Sequence, residues 1–261
     1  MEIGLSSASF YPQVKTEDSI KIMKELGFGV GEIFLNSVSE YEYDFIKLLV
    51  DEKEKNEFKV NSVHGFSASF EPFIFDAYKR RRNDMMVYFK KICNAGKQLG
   101  AKCYTFHGMK NNGVRKLGLD FVIEIYNELT YIAGEAGIML AQENVSWCMS
   151  HDLNFLRELR EKCKYPLYFT LDIKQAYRVG IDPVDYIKVM KDKMVNLHIN
   201  DKDEENNCLL PGKGNVNYER ISNELEKAGY TGNGIIEVYR DNYENFSELT
   251  ESCKHIQKYF H

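Results

Sequence analysis

An α/β fold, a closed (β/α)8 barrel forming a single domain over residues 1–261, is what the sequence predicts. The first observation is alternation: eight short apolar runs alternate with eight stretches of helical periodicity, with run starts about thirty residues apart. Such a pattern reads as parallel βαβ units, and eight of them in this length read as a ring. The second is that six of the runs close on, or just before, a His, Asp or Glu. The third is the lack of a Gly-rich turn after the first run, which open nucleotide-binding sheets often carry.

Strand one is 2–6 (EIGLS), and the loop after it holds Phe10 and Tyr11. Thr16 reads as the N-cap of the first helix, with Glu17 and Asp18 in its first turn, Ile20, Met23 and Leu26 on one face, and Gly27 as its stop. Strand two is 31–35 and helix two 43–56. Strand three, 59–64, leads through a long loop, GFSASFEPF, into a helix over 77–99 striped by Met85, Phe89, Ile92 and Leu99. The KRRR run at 79–82 opposes the helix macrodipole, so it reads as a solvated face or as a partner for an anion or an acidic neighbour. Gly100 precedes strand four, 102–107; a helix over 119–136 ends at Gly137, which opens strand five, 137–143 (GIMLAQE). Helix 151–162, strand 167–172, helix 183–191, strand 194–199, helix 218–228, strand 234–239 and helix 246–259 complete the alternation. The segment NDKDEENNCLLPGKGN, after strand seven, is the longest polar stretch and is placed over the strand ends.

A chain of 261 residues with 44% hydrophobic content can bury one large core. The net charge of −5 argues against nucleic acid as a partner, because phosphate binding rests on clustered Lys and Arg. No apolar run approaches the ~18 residues that span a bilayer, and Glu2 stands where a signal peptide carries positive charge, so a cytoplasmic protein is expected. Cys93, Cys103, Cys148, Cys163, Cys208 and Cys253 form no CxxC pair and read as free thiols.

In a parallel barrel every strand points the same way, so the last residues of all strands meet on one rim. His64, His107, Glu143, Asp172, His198 and Glu237 therefore converge although they are far apart in the chain. Alone, each has an ordinary explanation: a strand-end His bonds a carbonyl, and Asp172 caps the next helix. Together, the carboxylates of strands five, six and eight would repel one another unless a cation neutralised them. Imidazole with carboxylate suits a divalent ion of intermediate softness, Zn2+, Mn2+ or Co2+. Asp201 is expected to orient His198 from behind. Phe10, Phe66 and Trp147 fall in loops at the same end and are expected to wall a pocket, and Lys174, Arg178 and Arg240 lie just beyond strand ends, where one could meet a phosphate or carboxylate.

The order and spacing of SVHG at His64, TFHG at His107, QEN at Glu143, LDIKQA at Asp172, HINDKD at His198, PGKGN at Gly212 and IIEVY at Glu237 resembles the xylose isomerase-like TIM barrel superfamily, which contains endonuclease IV and sugar and sugar-phosphate isomerases and epimerases. The resemblance covers the whole chain. It implies one metal held by Glu143, Asp172, His198 and Glu237, and leaves a second site open to His64 and His107 with Glu143. It implies that Glu143 and Glu237 act as base and acid on a carbohydrate, through an enediolate stabilised by the metal. A third metal, as in endonuclease IV, would need ligands where this chain has Gln175, Asn206 and Cys208, so an endonuclease IV-like hydrolase at abasic DNA sites is the lesser reading, beside another enolising or dehydrating enzyme. The epimerases' substrate-holding His and loop Arg are replaced here, leaving Gln175 and either Lys202 or Lys213 to bind sugar oxygens. Barrels of this group are often dimers or tetramers, so a homo-oligomer is compatible with the resemblance.

Overall fold

The computed structural model describes residues 1–111 and 116–260. Eight parallel strands close into a barrel in chain order: β1 (Ile3–Ser6), β2 (Val30–Leu35), β3 (Lys59–Gly65), β4 (Cys103–Phe106), β5 (Met139–Glu143), β6 (Tyr168–Asp172), β7 (Met194–Ile199) and β8 (Gly234–Ile236). The ring is closed by β1 against β8, with Ile3 opposite Gly234 and Leu5 opposite Ile236. The connecting helices are α1 (Thr16–Glu25), α2 (Tyr43–Lys55), α3 (Lys79–Leu99), α4 (Leu119–Ala136), α5 (Leu153–Lys162), α6 (Pro183–Met190), α7 (Tyr218–Lys227) and α8 (Ser247–Gln257). Their buried faces, such as Phe89, Ile92 and Leu99 of α3 or Val122, Tyr126 and Leu129 of α4, pack against the outward strand residues as one apolar shell. Gly100 and Gly137 end α3 and α4 in the left-handed region, at φ 71° and 77°, where a side chain would be strained.

Every expected strand and helix is present, and the differences lie at the ends and in the loops. Lys15, not Thr16, is the N-cap of α1; the Thr16 hydroxyl instead donates to Glu40 Oε2 at 3.0 Å. The loop after β3 folds into a 3-10 turn (Ser67–Ser69) and a one-turn helix (Glu71–Ile74), and β6 runs into a short helix (Ile173–Arg178). Their few residues carry too little periodicity to declare them in sequence. β8 ends at Ile236, which leaves Glu237 on the residue just beyond it. In the basic run, Arg81 pairs with Asp76 at 2.5 Å, and Arg82 bonds the Asp76 carbonyl and lies over the Phe121 ring. The acidic neighbour of that run is Asp76. No helix is long and apolar enough to cross a membrane among the described residues.

Candidate metal centre

Side chains two apart on a strand share a face, and on the inward face of this barrel they form two layers. The lower layer is polar. Ser62, Thr105 and Asn196 sit two residues before His64, His107 and His198, and all three reach Glu32 of β2, at 2.7, 3.0 and 3.3 Å, while the Ser6 hydroxyl adds a contact at 3.3 Å. Glu32 is fully buried, and its Oε2 lies 3.1 Å from His198 Nε2. A carboxylate on that nitrogen directs the proton to Nε2 and the lone pair to Nδ1.

The upper layer holds the candidate ligands. His198 Nδ1 stands 3.3 Å from Glu143 Oε1, 3.4 Å from Glu237 Oε2 and 3.9 Å from Asp172 Oδ2. One ligand atom from each of these four residues lies within 4.8 Å of all the others, a span that one ion can bridge. His198 Nδ1 is buried without a hydrogen-bond partner, while Asp172 Oδ2 and Glu143 Oε2 meet only nitrogen cations or imidazoles, Lys174 Nζ at 3.1 Å and His107 Nε2 at 2.8 Å. A buried imidazole nitrogen is rarely left so, and the oxygens facing His198 Nδ1 are those of Glu143, Glu237 and Asp172. The donor set, one imidazole nitrogen and three carboxylates, fits an intermediate ion such as Zn2+, Mn2+ or Co2+.

A second group shares Glu143: His64, His107 and Glu143 also place ligand atoms within 4.8 Å of one another. His107 Nε2 lies 2.8 Å from Glu143 Oε2 and 2.9 Å from His64 Nε2. Gly65 carbonyl oxygen and Ser67 hydroxyl face the Nδ1 atoms of His64 and His107, at 2.7 and 2.5 Å, which turns both Nε2 atoms inward.

Local sequence holds these ends in place. The Asn144 amide bonds both the N–H and the carbonyl of Asp172, at 2.7 and 3.0 Å. Gln142 donates to the carbonyls of Phe106, His107 and Glu143. Glu71, buried on its one-turn helix, accepts from Tyr104 Oη at 2.5 Å and from the N–H groups of His107 and Gly108, at 2.7 and 3.0 Å.

Charge is balanced within the centre. Burial opposes ionisation of Glu143, but the imidazoles around it, His107 first, hold its carboxyl well below the usual carboxylate range. Burial likewise opposes ionisation of Glu237, and Lys174 and His198 outweigh it. Asp172 goes the other way, pushed up to about 6 by burial, with Lys174 opposing. Burial works against charge on His64, yet its bond to Glu143 and the nearby carboxylates raise it to about 9, and Glu32 and Glu237 lift His198 in the same sense. The pocket attracts positive charge.

The model of the xylose isomerase-like TIM barrel family matches residues 20–259. The chain belongs to that family. Among curated protein sequences none matches. Solved structures with the same fold include a D-tagatose 3-epimerase-like protein, at 20% identity and a TM-score of 0.84 with 99% of this chain and 97% of the other covered. Another is the 3-keto-D-glucoside 4-epimerase from E. coli, at 17% identity and 0.79, covering 99% of both chains. A third is the IolI protein with a bound zinc atom, at 16% identity and 0.76, covering 99% and 96%.

Within this xylose isomerase-like barrel the other expected site residues divide. Trp147 is half-buried with its ring 5.6 Å from that of His107, so it stands at the centre's edge. Phe66 is exposed on the loop after β3. Phe10 is fully buried and packs edge-on against Phe246 at 5.2 Å; it is core, not a pocket wall. Asp201 does not touch His198: its carboxylate accepts from the N–H groups of Lys202, Gly212 and Val216 and closes the loop after β7 upon itself. Gly214 fits that loop because a Cβ there would collide with the Lys202 carbonyl. The role expected of Asp201 falls to Glu32, whose signal was an acid flanked by apolar residues in mid-strand. Gln175 is buried with its carbonyl committed to the Ser146 N–H at 3.0 Å. Lys213 is exposed, and its charge acts on Glu248 of α8. Arg240 is tied to Gln13 and to the carbonyls of Tyr243 and Glu244. Lys174 reaches the ligand carboxylates, while Arg178 lies over the Tyr239 ring at 5.5 Å. Asn206 bonds Asp203, and Cys208 is a buried thiol that burial pushes up.

Proposed function

We propose that this protein is a divalent-metal-dependent isomerase or epimerase of a small carbohydrate, free or phosphorylated, working by proton transfer at the carbon beside a carbonyl. The observation that carries the reading is the convergence of Glu143, Asp172, His198 and Glu237 on one point, with His198 Nδ1 buried there and lacking a hydrogen-bond partner. Epimerases among the solved structures of the same fold support it, and the zinc of the IolI protein supports the metal. A bound ion would supply Lewis acidity to the sugar's carbonyl and neighbouring hydroxyl, stabilising charge that develops there. Glu143, from β5, and Glu237, beyond β8, approach from different sides of the rim, each able to take or return a proton on its own face of the sugar. Trp147 borders the space that the sugar would fill. Unpaired cysteines fit a reducing compartment, and we place the enzyme in the cytoplasm.

Nuclease chemistry at abasic sites fits less well, since in-line attack on a phosphodiester needs several cations, Gln175 and Asn206 are otherwise engaged, and Cys208 is a buried thiol. The test is exchange of a sugar's carbon-bound proton with deuterated water, over a panel of ketoses and their phosphates. Mn2+-loaded protein should catalyse exchange on one panel member, and Glu143→Gln and Glu237→Gln should each slow it by about 10²-fold or more. Cleavage of abasic DNA by a preparation that exchanges nothing would sink the reading.

A further inference from the structure

Lys174 stands on the short helix after β6 and is only 3% exposed. Its Nζ lies 2.9 Å from Glu237 Oε2 and 3.1 Å from Asp172 Oδ2, the same two oxygens that face His198 Nδ1. Asp172 has no other oxygen to offer, because its Oδ1 already accepts from the Gln175 N–H and from Asn200 Nδ2, at 3.2 and 3.0 Å. An ammonium and a divalent ion thus compete for one atom. Nζ also lies 5.0 Å from the centroid of the Tyr239 ring, which is partly exposed beside it. Nζ thus already faces the ring while it bonds the carboxylates, and the ring, which Arg178 also faces at 5.5 Å, is a cation partner that it keeps on leaving them.

We infer that Lys174 is a tethered stand-in for the metal. With no ion bound, its ammonium holds Asp172 and Glu237 together against their mutual repulsion. A divalent ion takes those oxygens, and Lys174 gives up both carboxylates, moving outward along the partly exposed Tyr239 ring that it already faces. The exchange replaces one positive charge by two among three carboxylates, two of them buried and one half-buried, so the centre is never left with its full negative charge uncompensated. It follows that the metal binds more weakly than the four ligands alone would hold it, and that the ligand arrangement survives metal loss. The inference rests on the metal centre proposed above.

Two measurements test it, neither of them activity. Acetylation of lysines, read site by site by mass spectrometry, should find Lys174 protected in metal-stripped protein and at least about 10-fold faster to react at saturating Mn2+. Calorimetric titration should give Lys174→Met at least about 10-fold tighter Mn2+ binding than the wild type, since removing a unit charge a few ångströms away has an effect of that order or larger; its metal-stripped form should melt earlier. Unchanged labelling of Lys174 in wild-type protein shown to be saturated with Mn2+ overturns the exchange and leaves the metal centre standing. Failure of the wild type to bind Mn2+ at all overturns both. Should Lys174→Met not fold without metal, labelling of the wild type decides by itself.

Discussion

Glu32 shows what a single side chain decides here. Buried under the ligand layer, it fixes the His198 imidazole through Nε2, and hydroxyls from three strands and the Asn196 amide surround its carboxylate. Burial resists its ionisation, but the adjacent His198 outweighs that and keeps it below the usual carboxylate range. Glu32→Gln keeps the volume and most of the hydrogen bonds but removes the charge that orients the ring, so metal affinity should fall about 10- to 100-fold with the fold intact by circular dichroism. Unchanged affinity in a metal titration would show that Nδ1 is aimed by packing alone. The candidate ligands were readable in the sequence because each closes an apolar run. Glu32 was not, since an acid inside a strand looks the same whether it faces the barrel axis or its edge, and only the register with Ser62, Thr105 and Asn196 tells the two apart. Asp201 erred the other way: closeness to His198 in the chain suggested contact, but the backbone turns at the end of β7 and gives its carboxylate to the loop.

Among the elements, the strands and long helices were legible because burial of one face writes a period of two or 3.6 into enough residues to be seen. The one-turn helix Glu71–Ile74 and the helix Ile173–Arg178 are too short for that, yet they carry Glu71 and Lys174 to the rim. The Glu71 helix is pinned to β4 by three hydrogen bonds onto one buried carboxylate, two of them from the backbone where β4 gives way to the next loop. Burial raises the Glu71 carboxyl above its usual range, with the charge of His107 and the bonds from Tyr104 and Gly108 opposing it. An amide in its place has one acceptor where two oxygens served three donors, and its NH2 would face backbone N–H groups. Glu71→Gln should therefore cost about 1–3 kcal/mol in urea unfolding, the range for leaving buried donors unpaired. A loss below about 0.5 kcal/mol would mean that the β3–α3 loop docks through its aromatic residues, Phe70 and Phe75, instead.

For the whole molecule, the four candidate ligands of the centre come from the ends of four strands, β5 to β8, so an ion there would be a cross-link among segments distant in the chain. Such an ion binds only where those segments are assembled, which makes its binding energy part of the barrel's stability. At about a thousand times the dissociation constant the gain is about 4 kcal/mol. For a protein of this size each kcal/mol moves the melting temperature by roughly 2–4 °C, so saturating Mn2+ or Zn2+ should raise it by about ten degrees and EDTA should reverse the rise. Ions held loosely by surface carboxylates would stabilise any variant equally, so the control lies inside the centre. Asp172→Asn leaves the Oδ1 bonds to Gln175 and Asn200 available while weakening the one oxygen that faces His198. In that variant the shift should shrink to a few degrees at the same metal concentration. A shift of equal size in Asp172→Asn and wild type, measured by differential scanning calorimetry, would place the ion elsewhere on the protein.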